Sequence, residues 1–166
     1  MPSIKLPHFG TLDSASLEEY YDANIEYNNT EIQIDLNFES KTIDITRLEL
    51  VKHFIDNIRI HDLNNKKLIQ QDFDDEDADT VRTYIEHHQE ELASDDLEEL
   101  TGSGTKSADL PPALLNRLHL VRVGLYPGND EQFATFDYSI GTELTNHLVV
   151  LFTDQNGNLD YMTIES

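Results

Sequence analysis

The chain has 166 residues, 38% of them hydrophobic, and this length predicts one domain with a sizeable core rather than two domains. Eleven Lys and Arg residues against 33 Asp and Glu give a net charge of −22, which would repel nucleic acid and anionic membrane surfaces and makes basic proteins and cations the natural partners. The absence of cysteine excludes disulfides, thiolate metal sites and thiol catalysis.

Nothing in the sequence indicates export or membrane insertion. The first residues contain no basic region followed by an apolar run, so they do not resemble a signal peptide. No stretch approaches 18 consecutive apolar residues, the length typical of a membrane-spanning helix. We therefore expect a cytoplasmic protein, and the lack of cysteine agrees with a reducing compartment.

The N-terminal part of the chain has the pattern of strands. A short strand is predicted at residues 4–6, ended by Pro7 and Gly10. Apolar and polar residues then alternate over residues 21–27 and again over residues 32–38. Asn28-Asn29 lies between these two runs, and asparagine tolerates the positive φ of hairpin turns. The pattern predicts an antiparallel hairpin with one buried face.

Near Asp44 the apolar period changes from 2 to 3.6, which predicts a helix. Thr46 and Glu49 have the spacing of a capping box at its start. A second, weaker helix is predicted over residues 63–71 and a third over residues 77–92, where early acids would favour the positive end of the helix dipole. The first helix has an apolar stripe of Leu48, Val51, Ile55 and Ile58, and the third has one of Val81, Tyr84, Ile85, His88 and Leu92.

Residues 101–109 form a loop of small residues before Pro111-Pro112. A domain boundary here would leave about 55 residues, too few for a comfortable independent core. The loop is therefore assigned to the surface of a single domain spanning residues 1–166.

From Leu118 onward the pattern is again that of strands. A nearly continuous apolar strand is predicted over residues 118–126, and alternating segments follow at residues 134–140 and 148–152. Asn156-Gly157 predicts a hairpin turn before the last strand. The expected fold class is α+β, with an N-terminal β-hairpin, two to three central helices and a C-terminal four-stranded antiparallel meander packed as sheet against helices.

Thirteen acidic residues and one basic residue, Arg82, lie within residues 72–99. Acids at positions 72, 74 and 76 match the first three ligand positions of an EF-hand. Asp77 stands where that loop needs glycine, and Thr83 stands where it needs a bidentate acid. The segment is therefore interpreted as a solvated helix face or as a docking surface for a basic protein.

The other possible metal sites are weaker. Residues 154–160 resemble a cation loop, but Gly157 falls at the fourth place instead of the sixth, so a hairpin turn is predicted. Seven histidines form no His-Glu-x-x-His pair. The adjacent His87 and His88 would point about 100° apart on a helix, and His88 is expected to be a core histidine. A folded pair such as His53 with His119 stays open, but no metal and no cofactor is predicted.

Catalytic motifs are missing from the sequence. There is no Gly-x-Ser-x-Gly elbow and no glycine-rich phosphate loop. Acids are so abundant that pairs of carboxylates carry no signal for glycoside chemistry. The sequence thus favours a protein that is not an enzyme.

The two ends of the chain carry a family resemblance. The opening contains Lys5-Leu6-Pro7-His8-Phe9-Gly10 and Leu17-Glu18-Glu19-Tyr20-Tyr21; the close contains residues 121–127, 136–140, 154–157 and a final Thr163-Ile164-Glu165-Ser166. These segments resemble the start and end of a bacterial family known as a domain of unknown function, number two-thousand-and-four in that series. The resemblance covers nearly the whole chain and implies a single-domain bacterial cytoplasmic protein. It carries over no activity and no catalytic residues.

Charge therefore leads the functional hypothesis. We expect an acidic partner of a basic protein, of the immunity or inhibitor type, because opposite surface potentials accelerate association. The alternative is a small hydrolytic enzyme or ligand-binding domain with a dispersed carboxylate or histidine site; adaptation to high salt and mimicry of nucleic-acid charge are further interpretations. The predicted partner-binding residues are Asp74, Asp75, Glu76, Asp77, Asp79, Glu90 and Glu91.

Overall fold

The computed structural model describes residues 2–166, and within them the chain forms eight strands and five helices. The strands are β1 (Ser3–Leu6), β2 (Gly10–Asp13), β3 (Tyr20–Tyr27), β4 (Thr30–Asn37), β5 (His119–Leu125), β6 (Ala134–Ser139), β7 (Leu148–Thr153) and β8 (Leu159–Glu165). The helices are α1 (Ile45–Asp56), α2 (Ile58–Asp74), α3 (Thr80–Glu91), α4 (Ser94–Thr101) and α5 (Leu110–Leu115).

Strands β3 to β8 form one six-stranded sheet in sequence order, and β1 pairs only with β2. Strands β5 to β8 are antiparallel neighbours, which confirms the predicted C-terminal meander. The meander is not a sheet of its own, however, because β4 pairs in parallel with β5 and brings the predicted hairpin into the same sheet. Ile34 lies opposite Val123 and Leu36 opposite Leu125, so this pairing places the apolar residues of both units on one face.

The predicted hairpin is confirmed as β3–β4. Tyr27 pairs directly with Thr30, and the two residues between them have positive φ, 50° at Asn28 and 64° at Asn29. Such a two-residue turn has the twist that antiparallel strands require. Side chains on β3 alternate between exposed and half-buried, as expected for a strand with one buried face.

The short N-terminal strand is also confirmed, as β1, but its partner β2 was not predicted. The strand ends at Leu6, directly before Pro7, as expected; the chain then turns, with φ of 70° at His8 and 81° at Gly10, and returns as β2. Both strands have four residues, but β1 contains two alternating apolar residues, Ile4 and Leu6, whereas β2 contains only Leu12; β2 therefore shows no alternation from which to predict it.

Helix α1 begins where the period changes, and Asp44 caps it. The Asp44 Oδ1 atom accepts a hydrogen bond of 3.0 Å from the Thr46 backbone N–H. The capping box predicted from Thr46 and Glu49 is wrong, because Thr46 already lies inside the helix.

The expectation of two to three helices is also wrong. Helix α2 is longer than predicted, because Ile58 and His61 extend its buried face towards the N-terminus. Helices α4 and α5 were not predicted, since α4 buries only Leu100 and α5 only Leu114 and Leu115. With so few buried positions, helices of eight and six residues are too short to recognise from their period.

One face of the sheet packs against the helices and forms the core. A single cluster of buried apolar side chains joins residues from the hairpin, from the helices and from the meander. Members include Leu36, Val51, Ile85, Val123 and Phe136, all fully buried. Alternate strand residues project to the opposite face of the sheet.

Candidate functional site

The seven predicted partner-binding acids lie near the two ends of α3. Glu90 and Glu91 are in its last turn, about 16 Å along the helix axis from Asp79 at its start. The other members precede α3: Asp74 is the last residue of α2, the rest lie in the turn that follows it, and all are exposed. We call the set at this end the acidic turn: Asp74, Asp75, Glu76, Asp77 and Asp79.

In the described part of the chain, no basic side chain forms an ion pair with the acidic turn. Among residues 2–166, ion pairs involve Arg47, Lys66 and Arg122, none of which reaches a carboxylate of the turn. Arg82 donates to the Phe73 carbonyl and lies over the Phe73 ring, 4.8 Å from its centroid. The Arg82 charge is thus held at the C-terminal end of α2, where the helix dipole favours a cation.

Some carboxylates of this segment shape the backbone. Asp75 Oδ1 accepts a hydrogen bond of 2.9 Å from the Asp77 N–H, and both Asp74 carboxylate oxygens lie 3.1 Å from Gln70 Nε2. The side chains of Glu76, Asp77 and Asp79 make no hydrogen bond or ion pair within residues 2–166. Those three carboxylates are therefore available to a partner.

Asp72, the first position of the EF-hand resemblance, has a structural role. Its Oδ1 atom accepts a hydrogen bond of 2.8 Å from the Val81 N–H, in the first turn of α3. Only residues 75–79 connect the two helices, far fewer than the 12-residue calcium loop requires.

Three histidines meet at the other end of α3. The rings of His87 and His147 are stacked, with centroids 4.7 Å apart, and His88 is edge-on to both. One ligating nitrogen from each ring lies within 4.8 Å of those from the other two. The different directions of His87 and His88 on the helix predicted that they would not share an ion, but His147, from the β6–β7 connection, lies beside both.

His88 is the buried member of this group, and both its nitrogens are engaged. Nδ1 lies 2.7 Å from the Tyr84 carbonyl, which can only accept, so Nδ1 carries the proton. Nε2 therefore accepts from the Thr145 hydroxyl at 2.8 Å. Burial lowers the pKa of His88, despite the Tyr84 hydrogen bond, and the neighbouring His87 and His147 lower it further. The expectation of a satisfied core histidine is confirmed.

Tyr84 fixes the β6–β7 connection to α3. Its hydroxyl donates to the His147 carbonyl at 3.0 Å and accepts from the Ile140 N–H at 3.3 Å. The Thr145 hydroxyl also accepts from the His147 N–H at 3.0 Å. These hydrogen bonds fix the position of the β6–β7 connection, which carries His147, relative to α3, which carries His87 and His88.

The three histidines line an open cavity of about 430 Å³. Two carboxylates, Glu91 from α3 and Glu143 from the β6–β7 connection, also line it. Glu91 follows His87 by four residues, so both lie on the same side of the helix. That His-x-x-x-Glu spacing and the adjacent pair His87-His88 were the local signals of this cavity in the sequence.

A second cavity of about 420 Å³ lies at the far end of the sheet. It combines Glu19 and Glu39 with the rings of Tyr20 and Tyr126. Burial raises the pKa of the Tyr20 hydroxyl, and the negative charges of Asp35 and Asp22 raise it further, so Tyr20 stays neutral.

A buried carboxylate lies between the sheet and α2. Asp62 is 1% exposed, and its two oxygens accept hydrogen bonds of 2.7 Å from the Tyr27 and Tyr138 hydroxyls. Lys66 Nζ lies 3.6 Å from the same carboxylate. Burial raises the pKa of both tyrosines, and the negative Asp62 raises them further, so the hydroxyls keep their protons as donors.

Two more buried carboxylates lie on the opposite face of the sheet. Arg122 donates to Asp35 from Nε at 2.6 Å and from Nη2 at 3.0 Å, and to Asp137 from Nη1 at 3.3 Å. The Arg122 side chain lies over Gly124, where a Cβ would come within 2.6 Å of Nη2. Burial raises the pKa of the Asp137 carboxyl, and Arg122 opposes that rise.

Two further segments were considered as metal sites in the sequence: the loop of residues 154–160 and the pair His53 and His119. Asp154 Oδ1 accepts from the Asn156 and Asn158 N–H groups, both at 2.9 Å, and Gly157 has φ of 83°, so the hairpin turn is confirmed. His119 Nδ1 lies 2.8 Å from the Arg117 carbonyl. The cluster of ligating side chains found within residues 2–166 includes neither His53 nor His119.

The site belongs to an α+β protein with a six-stranded mixed sheet and a helical layer on one face. No family model, curated protein or solved structure matches the chain. The resemblance of its two ends to the bacterial family of unknown function stays a prediction. Across residues 2–166, no helix is long and apolar enough to cross a membrane.

Proposed function

We propose that this chain is a non-enzymatic interaction protein that binds a basic protein through the acidic turn, as an immunity or inhibitor protein does. One observation carries the proposal: five exposed carboxylates lie within six residues, and no basic side chain of residues 2–166 pairs with them. Within one chain such charges repel one another and cost stability at low salt. A cationic partner would relieve this repulsion on binding, and the relief would add to the free energy of association.

The mechanism is electrostatic steering followed by local pairing. A net charge of −22 attracts a basic protein from a distance, and clustered charges raise association rates by orders of magnitude at low salt. Salt screens this attraction over about 8 Å at physiological ionic strength. Carboxylates without internal partners, such as Glu76, Asp77 and Asp79, then accept Lys and Arg donors without breaking existing bonds.

The test is capture of a basic protein from the native cell's lysate, followed by kinetics with that protein once purified. Neutralising the acidic turn to Asn and Gln should lower the association rate at least tenfold at low salt, with a smaller effect at high salt. The matched control removes five exposed acids of the hairpin and α1, so both variants have the same net charge. The control substitutions are Asp22→Asn, Glu26→Gln, Glu31→Gln, Glu49→Gln and Asp56→Asn.

The comparison of the two variants separates local docking from net charge. Equal losses in both would show that only the overall charge matters, and the acidic turn would not be the docking surface. No loss in the acidic-turn variant would contradict the proposal outright.

A second candidate function is a ligand-binding or hydrolytic domain, and the histidine cavity favours it. A cavity of about 430 Å³ that joins imidazoles with Glu91 and Glu143 has the size and chemistry of a small-ligand site. A thermal-shift screen of small anions and esters checks this function. A ligand that stabilises the unaltered protein but not His87→Gln would support this function. Ligands that stabilise both proteins equally would show that they do not bind in the histidine cavity.

A further inference from the structure

We propose that His87, His88 and His147 bind a divalent transition-metal ion, with the carboxylate of Glu91 as the fourth ligand. The site is independent of the acidic turn, which lies at the opposite end of α3. Zn²⁺ is the reference ion, because three imidazoles and one carboxylate are a ligand set that zinc accepts in tetrahedral geometry.

The three imidazoles require only a small closure, whereas the Glu91 carboxylate lies outside their 4.8 Å cluster and has to turn towards it. Ligating nitrogens of the three rings already lie within 4.8 Å of one another. Zinc–nitrogen bonds of about 2.0–2.1 Å in a tetrahedron place the nitrogens about 3.3 Å apart. His87 is exposed and His147 half-buried, so both rings can rotate towards the ion while His88 stays in place.

His88 is already in the tautomer that a metal needs. Its Nδ1–H is held by the Tyr84 carbonyl, which leaves the lone pair on Nε2, where it accepts from the hydroxyl of Thr145, another residue that lines the cavity. A backbone carbonyl that holds the second nitrogen of a ligating histidine is the usual outer-shell arrangement in metal proteins. The ion would replace one neutral hydrogen bond, that from the Thr145 hydroxyl.

The scaffold supports the ligands from two sides. His87, His88 and Glu91 come from one helix, and His147 comes from a connection that Tyr84 ties to the same helix. Glu91 lines the cavity and lies one turn from His87 on the same side of α3. Imidazole-rich sites select zinc and neighbouring transition metals, whereas calcium and magnesium prefer all-oxygen ligands.

The test is titration of the metal-free full chain with Zn²⁺ by calorimetry, with and without millimolar Ca²⁺ and Mg²⁺. We expect one ion per chain, little competition from either hard cation, and a loss of affinity of at least tenfold in His87→Gln and in His147→Gln. His53→Gln, which changes another exposed histidine, is the matched control and should bind as the unaltered chain does. His88 is left intact because its two hydrogen bonds are part of the fold.

Equal binding by His87→Gln, His147→Gln and His53→Gln would overturn the site, as would stoichiometric binding that Ca²⁺ abolishes. Absorption of the Co²⁺ complex provides a readout that does not depend on affinity: intense visible bands indicate four-coordination, and weak bands would contradict the proposed ligand set. Glu91→Gln should weaken binding while Glu143→Gln, from the same cavity, should not. The reverse result would remove Glu91 from the ligands.

Failure of the metal site and failure of the proposed function are distinguishable. The acidic-turn variant keeps all four proposed ligands and should bind Zn²⁺ like the unaltered chain. If its zinc affinity falls with that of His87→Gln, binding is a diffuse effect of negative charge, and the histidine site is wrong.

Discussion

The two faces of the sheet hold buried carboxylates in different ways. On the core face, Asp62 is bound by neutral hydroxyls from Tyr27 and Tyr138. On the opposite face, the guanidinium of Arg122 binds Asp35 and Asp137 together. A buried charge needs hydrogen-bond donors or a counter-charge. Short hydrogen bonds from neutral hydroxyls dominate around Asp62, where the Lys66 ammonium lies farther off at 3.6 Å, whereas a guanidinium in direct contact holds the pair on the opposite face.

The difference follows from what each face can accommodate. Tyrosine brings a large apolar ring with its hydroxyl, so it fills the core while it donates to Asp62. The Arg122 side chain keeps 28% of its surface exposed and lies flat over Gly124, where a larger residue would collide with it. We therefore expect the loss of a charged partner to cost more than the loss of a neutral donor.

The largest effect is expected from Arg122→Leu. The substitution leaves Asp35 and Asp137, both buried, without a counter-charge, and the free energy of unfolding should fall by about 3 kcal/mol. Urea unfolding at neutral pH measures this change. A variant that also carries Asp35→Asn and Asp137→Asn should recover part of the loss; a single variant as stable as the unaltered chain would show that the pairing on this face contributes nothing.

A smaller effect is expected on the core face. Tyr138→Phe removes one donor to the buried Asp62 carboxylate and should cost about 2 kcal/mol of unfolding free energy. Tyr27→Phe removes the equivalent bond at a half-buried position, where water can replace the hydroxyl, and should cost under about 1 kcal/mol. If urea unfolding shows the same loss of unfolding free energy for both substitutions, the burial of the tyrosine does not determine how much its hydrogen bond contributes.

The smallest effect concerns a buried polar group that has no partner. His61 is 8% exposed, stacks on Phe54, and its Nδ1 makes no hydrogen bond within residues 2–166. Burial lowers the pKa of His61, and His53 lowers it further, whereas Asp154 raises it. As pH falls below about 6.5, the unfolded chain takes up a proton that the folded chain refuses, so stability declines until the pH passes the folded pKa.

Comparison with His61→Phe isolates this contribution. The variant keeps the stack on Phe54 and should lose less stability between pH 7.5 and pH 5, with slopes that differ by at most about 1.4 kcal/mol per pH unit. Urea unfolding at a series of pH values measures both slopes. Parallel curves would mean that His61 is protonated in the folded state as readily as in the unfolded one.

The sequence predicted elements well where the signal is local. Alternation over residues 21–38 and the Asn28-Asn29 turn were sufficient for the β3–β4 hairpin, and Asn156-Gly157 was sufficient for the last turn. Short elements such as β2 and α5 escaped, because four to six residues carry too little periodicity. Composition likewise located the acidic turn, since its residues are neighbours in the chain.

The candidate metal site shows what local patterns omit. His88 meets Thr145, 57 residues away, through the packing of α3 against the β6–β7 connection. Considered alone, the adjacent pair His87-His88 argued against a shared ion, and only His147 changes that conclusion.

The sequence by itself determined the fold class, the two hairpin turns and the excess of negative charge, because these depend on composition or on residues a few positions apart. Tertiary structure alone decided that β4 joins β5, that Asp35 meets Arg122 across 87 residues, and that three histidines share one cavity. Such contacts depend on how the five-helix crossover returns the chain to the sheet. That path is set by burial of the whole core and leaves no pattern within any short segment.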